Sequence, residues 1–370
     1  MTVAIVTFVL CGAIIVLSSV ALTRAAEAFA RSTNIGRVWI GTVLLASATS
    51  LPELGVDVSA VRQGAADLAA GDIFGSSMAN MLILALLGMV PPRDDIFRRT
   101  SLDNTIAASL GIIMTAIVGI LVYSQATTTV AGVHPASVLL VVLFLIGSRI
   151  LYRQASDAAP ANGASVDAGP GAAAPLNVAP AAADGHGAIQ APAATPGDAA
   201  ATDEDETDRA RRRRVSGMRF LASAAVLLLL APLFADSAQT IAEGTGLGLT
   251  FFGTLFVGAS TSLPELVSCV AALRMGARDL AVGNLFGSNV FNASIFLAMD
   301  LAHPGGSIFA IVGQTHVVSA LFAVLLMALG SASIAFRATR RHALIEPGAV
   351  LMLVAYVTGV IALYQLRAVP

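Results

Sequence analysis

Two glutamates stand in the middle of strongly apolar segments of this sequence. Glu53 follows Pro52, and Glu265 follows Pro264, each within a run long enough to cross a membrane. A lone carboxylate at membrane depth is costly, so it should face a cavity or a partner. Two such carboxylates that meet would balance one Ca²⁺, two Na⁺ or two protons. The alternative is a pair of protonated glutamates that serves helix packing.

The prolines beside these glutamates predict broken helices. A proline within a helix removes one backbone hydrogen bond and displaces a carbonyl, and broken backbone at membrane depth lines a cavity or is buried in protein. Freed carbonyls, glutamate oxygens and nearby hydroxyls would form an all-oxygen site that suits Ca²⁺ or Na⁺, whereas Zn²⁺ or Cu⁺ would favour His or Cys. The hydroxyls, which could alternatively bond to the broken backbone, belong to Thr49, Ser50, Thr261 and Ser262.

Further polar residues follow in the next apolar segment of each half. Ser76 and Asn80 are four residues apart, as are Ser288 and Asn292, so each pair lies on one face of a helix. We expect these four side chains to contact the ion. Glycines beside them would allow helices to approach closely, although small residues also serve ordinary helix packing.

Two aspartates break the similarity between the halves. Asp57 lies one turn beyond the first glutamate, and Asp72 lies one turn before the serine of the next segment; their counterparts are Cys269 and Asn284. Either aspartate could supply a third carboxylate of the site or part of an ion or proton path. The alternatives are an acid near the aqueous end of a span for Asp57 and a helix cap for Asp72.

The two halves of the chain are related by an internal repeat. Residues 41–80 align with 253–292 without a gap, and 21 of the 40 pairs are identical. Asp67 and Asp279 match each other near helix starts, which is typical of N-caps. An odd number of spans per half would insert the second half upside down, as in many transporters.

Hydrophobic runs of about 20 residues predict ten transmembrane helices in an all-α integral membrane protein. We therefore expect two inverted five-helix repeats, with helices 2 and 7 broken by proline. The expected spans are 3–22, 36–61, 66–90, 102–123, 133–152, 218–240, 247–273, 278–299, 311–336 and 345–366. The first repeat would cover 1–153 and the second 216–370. We expect 3–22 to be a retained span, because no charged residue precedes it.

Composition supports a membrane location and excludes other classes. The chain is 56% hydrophobic and 12% charged, whereas soluble domains carry about 25% charged residues. A net charge of −2 gives no sign of nucleic-acid binding. Residues 154–215 begin with a long stretch rich in Ala, Pro and Gly, which predicts a disordered linker. Neither a nucleotide-binding loop nor a catalytic triad is evident, so we do not expect an enzyme.

Arginine placement predicts the orientation of the spans. With ten spans, 19 of the 21 basic residues, all arginines, fall on the face that carries the linker. Positive residues mark the cytoplasmic side, so the linker is expected inside and both termini outside.

The segments GTVLLASATSLPEL…GDIFGSSMAN and GTLFVGASTSLPEL…GNLFGSNVFN resemble the paired repeats of the cation/calcium exchanger superfamily, and within it the prokaryotic sodium/calcium exchangers. The resemblance implies that Glu53 and Glu265 are shared between calcium and sodium sites, and that spans 1 and 6 slide as a gating pair. It further implies ion contacts from Thr49, Thr261, Ser76, Ser288, Asn80, Asn292 and the carbonyls of Ala46 and Gly258.

The sequence departs from this family pattern at two places. Relatives often carry an aspartate at one of the positions of Asn80 and Asn292, and usually an asparagine at that of Asp72. We expect Na⁺-driven export of Ca²⁺ across a bacterial plasma membrane, with Ca²⁺ and Na⁺ as bound, transported ions and no cofactor. The departures keep Ca²⁺/H⁺ and K⁺-dependent exchange open, with a passive cation channel as a more distant alternative; the oligomeric state is not predicted.

The arginine distribution makes a testable prediction about orientation. A cysteine placed in the linker, for example by Ala172→Cys, should react with a membrane-impermeant thiol reagent in inverted vesicles and not in intact cells. Labelling of the linker in intact cells would contradict the expected topology.

Overall fold

The computed structural model describes residues 1–32, 45–89, 96–157, 196–274, 278–336 and 346–366. Its regular structure in these ranges is helical, apart from one isolated bridge between Val130 and Val133. The α-helices are α1 (Thr2–Ser32), α2 (Leu45–Thr49), α3 (Leu51–Arg62), α4 (Ala66–Met89), α5 (Ile96–Arg99), α6 (Asp103–Tyr123), α7 (Pro135–Asp157), α8 (Pro196–Thr245), α9 (Leu249–Phe252), α10 (Gly258–Thr261), α11 (Leu263–Arg274), α12 (Arg278–Ser294), α13 (Phe296–Ala302), α14 (His316–Phe336) and α15 (Pro347–Leu366).

Eight helical segments in the described part of the chain are long and apolar enough to cross a membrane. They match the expected spans 1, 3, 4 and 6 to 10. The fifth expected span contains a shorter apolar helix, Pro135–Leu151. The second begins among residues 33–44, which lie outside the described residues, and continues as α2 and α3. The chain is therefore an all-helical, multi-pass membrane protein, and the count of ten spans stays a prediction.

Burial separates central helices from peripheral ones. In the most apolar 18-residue stretch of α4, 72% of residues are buried, against 17% for α1 and 22% for α8. The two peripheral helices pack along each other, and the rings of Phe8 and Phe234 stack with centroids 4.5 Å apart. The outer faces of α1 and α8 expose large aliphatic side chains, as expected for surfaces that contact lipid tails.

The prolines break their helices as the sequence predicts. The first break lies at Ser50, between α2 and α3, and the second at Ser262, between α10 and α11. Both serines have nearly the same backbone angles, with φ −91° and ψ 10° at Ser50 and φ −82° and ψ 1° at Ser262. A π-helical turn, Gly253–Val257, precedes the second break, and such turns are common at functional sites.

Glycines bring α4 into backbone contact with the segment before the second break. A Cβ atom added to Gly258 would lie 2.7 Å from the backbone carbon of Gly75 and the nitrogen of Ser76. One added to Gly75 would overlap the backbone of Thr254. At these positions glycine is required by the approach of two backbones, because a side chain would push the helices apart.

Asp67 and Asp279 bind the opposite half of the chain. Asp67 Oδ1 accepts a hydrogen bond of 2.7 Å from the Gly313 amide, shortly before α14, and Asp279 Oδ1 accepts one of 2.6 Å from the Ser101 amide, shortly before α6. Each aspartate thus serves a helix start in the other half of the chain, so the expectation that they cap their own helices needs correction. Sequence spacing identified them as capping residues but could not identify the helix they serve.

The end of the expected linker is helical. α8 begins at Pro196, about 20 residues before the expected end of the linker at 215, and the linker itself stays a prediction. The segment lacks apolar periodicity, but Ala, Glu and Arg are good helix formers. Residues 158–195 lie outside the described residues.

The backbone contact at Gly75 makes a testable prediction. Gly75→Ala should destabilise the protein by about 1–3 kcal/mol, the usual cost of overpacking, because the added methyl meets immobile backbone. Thermal unfolding of the purified protein would measure the loss. Gly217→Ala is the control, since a Cβ there meets nothing within 4 Å; equal stability of the two variants would contradict the close approach.

Candidate cation-binding site

The two helix breaks place a glutamate in the first turn of a new helix in each half of the protein. Glu53 lies in the first turn of α3 and Glu265 in that of α11, and both side chains are fully buried. Proline suits this position because the first helical amides need no partner within the helix. The partial positive charge at a helix N-terminus favours a nearby carboxylate.

The predicted site residues are all buried, and polar contacts join them across the two halves. Ser76 Oγ lies 3.0 Å from Thr261 Oγ1, and Thr49 Oγ1 lies 3.3 Å from Ser288 Oγ. Thr261 and Ser288 are the repeat counterparts of Thr49 and Ser76, 212 residues further along the chain. The two contacts are therefore equivalent in the internal repeat. The buried set comprises Glu53, Glu265, Thr49, Thr261, Ser50, Ser262, Ser76, Ser288, Asn80, Asn292, Ala46, Gly258 and Asp72.

The glutamates differ in their hydrogen bonding. Glu265 Oε1 accepts hydrogen bonds from the hydroxyls of Ser50, at 3.4 Å, and Ser288, at 3.3 Å. Glu265 Oε2 and both carboxylate oxygens of Glu53 have no hydrogen-bond partner among the described residues. Three glutamate oxygens therefore remain available to a cation.

The carbonyls of Ala46 and Gly258 take part in the backbone around the breaks. Ala46 O accepts the Ser50 amide at 3.1 Å and Thr49 Oγ1 at 3.1 Å. Gly258 O accepts the Ser262 amide at 3.1 Å and also Thr261 Oγ1 at 3.3 Å. The threonine hydroxyls thus support the broken backbone, which was one of the two roles that the sequence left open. Whether these carbonyls also bind an ion stays a prediction.

Asparagine side chains form a second layer of polar contacts. Asn80 Nδ2 donates a 2.8 Å hydrogen bond to Asn289 Oδ1. Asn80 Oδ1, both polar side-chain atoms of Asn292 and the Ser262 hydroxyl have no partner among the described residues. Sequence reasoning missed Asn289; its signal was a polar residue within a buried apolar helix, at the repeat position of Ser77.

The first-half aspartates adjoin these residues. Asp72 Oδ1 accepts hydrogen bonds from Thr261 Oγ1, at 2.8 Å, and Ser76 Oγ, at 3.2 Å. Asp72 therefore adjoins Ser76 and Thr261. Asp57 is also fully buried, and neither of its carboxylate oxygens has a hydrogen-bond partner among the described residues.

Asp300 shows what a structural buried acid looks like in this fold. Its carboxylate accepts the His134 amide at 2.6 Å, the Ser137 hydroxyl at 2.9 Å and the Ile308 amide at 2.8 Å. Both oxygens are thus satisfied, and the group ties α7 to the loop after α13. Glu53 is equally buried, but neither oxygen of its carboxyl group has a hydrogen-bond partner among the described residues.

The chemistry of the site is that of oxygen ligands. In the described part of the chain, no group of three or more His, Cys, Asp or Glu side chains is arranged to hold a metal ion. A cation here would combine one or two carboxylates with hydroxyl, amide and carbonyl oxygens. Such oxygen sets bind hard cations such as Ca²⁺.

Comparison with known families identifies a match over both halves. The family model described as "Sodium/calcium exchanger protein" matches residues 3–153 and 216–365. These two ranges contain every residue of the candidate site.

Individual relatives and a solved structure agree with this match. CaxA of Alkalimonas amylolytica, whose name proposes that it is an antiporter, is 29% identical over 87% of this chain and 89% of its own. The inner membrane protein YrbG of Escherichia coli is 25% identical over 79% and 78%. The structure of the sodium-calcium exchanger NCX_Mj has a TM-score of 0.56 at 18% identity, covering 98% of this chain and 99% of that one. This last similarity establishes the fold.

Proposed function

The chain belongs to the sodium/calcium exchanger family, and on this basis we propose that it is a secondary active antiporter that exports Ca²⁺ in exchange for Na⁺. Na⁺ entering down its gradient would drive the exchange across a bacterial plasma membrane. YrbG, a relative along most of the chain, is named as an inner membrane protein, which supports this location. The linker would be cytoplasmic and both termini outside.

The observation that carries this proposal is the pair of buried glutamates with unsatisfied oxygens. Glu53 and Glu265 lie at repeat-equivalent positions, and three of their four carboxylate oxygens have no partner among the described residues. An ionised carboxylate in a low-dielectric interior must be paired or bound to a metal. Two carboxylates match the charge of one Ca²⁺, and two Na⁺ would balance them equally.

The remaining polar residues would complete the ion's coordination. Ca²⁺ takes six to eight oxygen ligands, so two carboxylates do not suffice after most of the water is removed. We propose that hydroxyls, side-chain amides and backbone carbonyls supply the rest and are shared between Ca²⁺ and Na⁺. These ligands are Thr49, Thr261, Ser50, Ser262, Ser76, Ser288, Asn80, Asn292, Ala46, Gly258 and Asp72.

Repeat-related contacts support alternating access. The Thr49–Ser288 and Ser76–Thr261 contacts are equivalent under the shift of 212 residues. Such paired contacts fit an inverted repeat whose halves meet at the ion, and rocking of one part against another would then expose the site to either side. The low burial of α1 and α8 against the central helices supports their assignment as the moving pair.

Three other modes of transport make different predictions. Carboxylates in a low dielectric bind protons readily, so Ca²⁺/H⁺ exchange would use the same glutamates, and a K⁺-dependent exchanger would require a third ion. A passive channel would conduct Ca²⁺ without a counter-gradient. The NCX_Mj structure, which shares this fold, is named for sodium-calcium exchange, and this favours Na⁺ as the coupled ion.

Flux measurements distinguish these modes. Purified protein in vesicles should take up radiolabelled Ca²⁺ when Na⁺ is trapped inside and diluted outside, without a pH gradient and without K⁺. Uptake driven by a pH gradient alone would replace Na⁺ with H⁺ in the proposal. Dependence on added K⁺ would indicate the three-ion exchanger, and uptake with neither gradient would indicate a channel.

The glutamate pair gives the sharpest prediction of this proposal. Glu53→Gln and Glu265→Gln should each reduce Na⁺-driven Ca²⁺ flux to the level of protein-free vesicles, because one negative charge remains against a divalent ion. The double variant should be no worse than either single one. Folding should persist, since a neutral amide costs less in the membrane than a carboxylate.

A matched control comes from an exposed glutamate. Glu243 lies on α8 with its carboxylate exposed, hydrogen bonded to Gln239, and Glu243→Gln should transport like the wild-type protein. Near-normal flux in either buried-glutamate variant, at equal levels of reconstituted protein, would refute the paired-carboxylate mechanism.

A further inference from the structure

Asn289 on α12 is a buried polar residue outside the set of proposed ligands, yet it contacts one of them. Its side chain is fully buried. Asn289 Oδ1 accepts a hydrogen bond of 2.8 Å from Asn80 Nδ2, and Asn289 Nδ2 donates one of 3.5 Å to the Ser77 carbonyl. Both polar groups of this side chain are therefore directed at α4.

The contact with Ser77 fixes the direction of this chain of hydrogen bonds. A backbone carbonyl only accepts, so Asn289 must present its NH₂ group to Ser77 and its oxygen to Asn80. That oxygen requires a donor, so Asn80 must present its own NH₂ group. In the reverse arrangement the Asn289 oxygen would face the Ser77 carbonyl, and two acceptors would repel each other. The orientation of the Asn80 amide is thus set by Asn289.

The consequence is a buried amide oxygen that is free to bind a cation. Asn80 is fully buried, and its Oδ1 has no hydrogen-bond partner among the described residues. Asn80 shares a face of α4 with Ser76, whose hydroxyl contacts Thr261 of the other half. An amide oxygen is a ligand of hard cations, whereas an NH₂ group only donates. An asparagine whose NH₂ group is held elsewhere presents the correct atom.

The second half lacks this arrangement. Asn292 is the repeat counterpart of Asn80, and neither of its polar side-chain atoms has a partner among the described residues. Ser77 is the counterpart of Asn289, and its hydroxyl donates at 3.0 Å to the Ile73 carbonyl of its own helix. The helices can therefore pack with a short residue at this position, so packing alone does not require an asparagine there.

We propose that Asn289 is a positioning residue for cation binding, which holds the NH₂ group of Asn80 so that Asn80 Oδ1 faces the ion. This inference rests on the proposed function in that it takes Asn80 as a ligand of the transported cation. Asn289 acts through Asn80 and does not contact the ion. Fixing a ligand before binding reduces the entropy lost on binding, so the two repeat-related asparagines contribute unequally to cation affinity.

A double-mutant cycle on the purified full-length chain tests this role. Equilibrium dialysis with radiolabelled Ca²⁺ gives the Kd of the wild-type protein, Asn80→Ala, Asn289→Ser and the double variant. Asn289→Ser installs the residue that the first half already carries, so it should fold, and it should raise the Kd about 3- to 10-fold, as expected for one lost hydrogen bond. In the Asn80→Ala background the same change should have no further effect, because coupled residues are not additive.

A second pair of variants separates positioning from packing. An aspartate has two equivalent oxygens, so Asn80→Asp presents an oxygen to the ion in either orientation and needs no positioning. Adding Asn289→Ser to Asn80→Asp should therefore leave the Kd no weaker than in Asn80→Asp alone. Ser294→Ala is the control on the same helix, since it removes only a hydrogen bond to the Phe291 carbonyl, and it should bind Ca²⁺ like the wild-type protein.

The outcomes distinguish this inference from the proposed function. An unchanged Kd in Asn289→Ser, or an equal loss of affinity whichever residue stands at position 80, would overturn the positioning role and leave the transport proposal intact. An unchanged Kd in Asn80→Ala would remove Asn80 from the ligands and overturn the inference as well. Dialysis uses no ion gradient, so a wild-type protein without Na⁺-driven flux would refute the coupled exchange while the binding cycle still decided this inference.

Discussion

A carboxylate buried at membrane depth must be compensated by protein groups or by ions, and Glu53 and Glu265 impose this requirement on the helices around them. The prolines beside them create helix N-termini within the membrane, whose amides favour negative charge. Serine and threonine hydroxyls from the opposite half approach the same region. The remaining oxygens have no partner among the described residues, and this shortfall is what makes the site suited to a cation.

Close packing of backbones follows from the same requirement. The proposed ligands are mostly short side chains, so the helices that carry them would have to approach closely to surround one ion. Gly75 and Gly258 permit this approach, because a Cβ on either would meet backbone of the other segment. The hydrogen bonds of Asp67 to Gly313 and of Asp279 to Ser101 hold each half to a helix start of the other. In contrast to these central contacts, α1 and α8 are much less buried than α4.

The departures from symmetry are as informative as the repeat itself. Asp300 is a buried acid with both oxygens satisfied, so the fold can pair a carboxylate where its role is structural. Asp57 and Asp72 are not paired in this way, although their counterparts Cys269 and Asn284 are. A transporter with symmetric glutamates can thus differ between its halves in charge, and that difference would bear on which ions are bound together.

The sequence by itself determined the helical membrane class, the helix breaks and the candidate glutamates, because the cost of burying charge and the missing proline amide are local properties. It also identified Ser76, Ser288, Asn80 and Asn292 from spacing within single helices. It did not reveal that α8 begins at Pro196, because apolar periodicity is a poor guide where helix propensity dominates. Only the tertiary structure decided that Asp67 and Asp279 serve the other half, that Asn289 bonds to Asn80, and that Asp72 accepts a hydrogen bond from Thr261 of the other half. These contacts depend on how helices distant in sequence are aligned against each other. Close packing at positions such as Gly75 and Gly258 sets that alignment, and it produces no periodic pattern in the sequence.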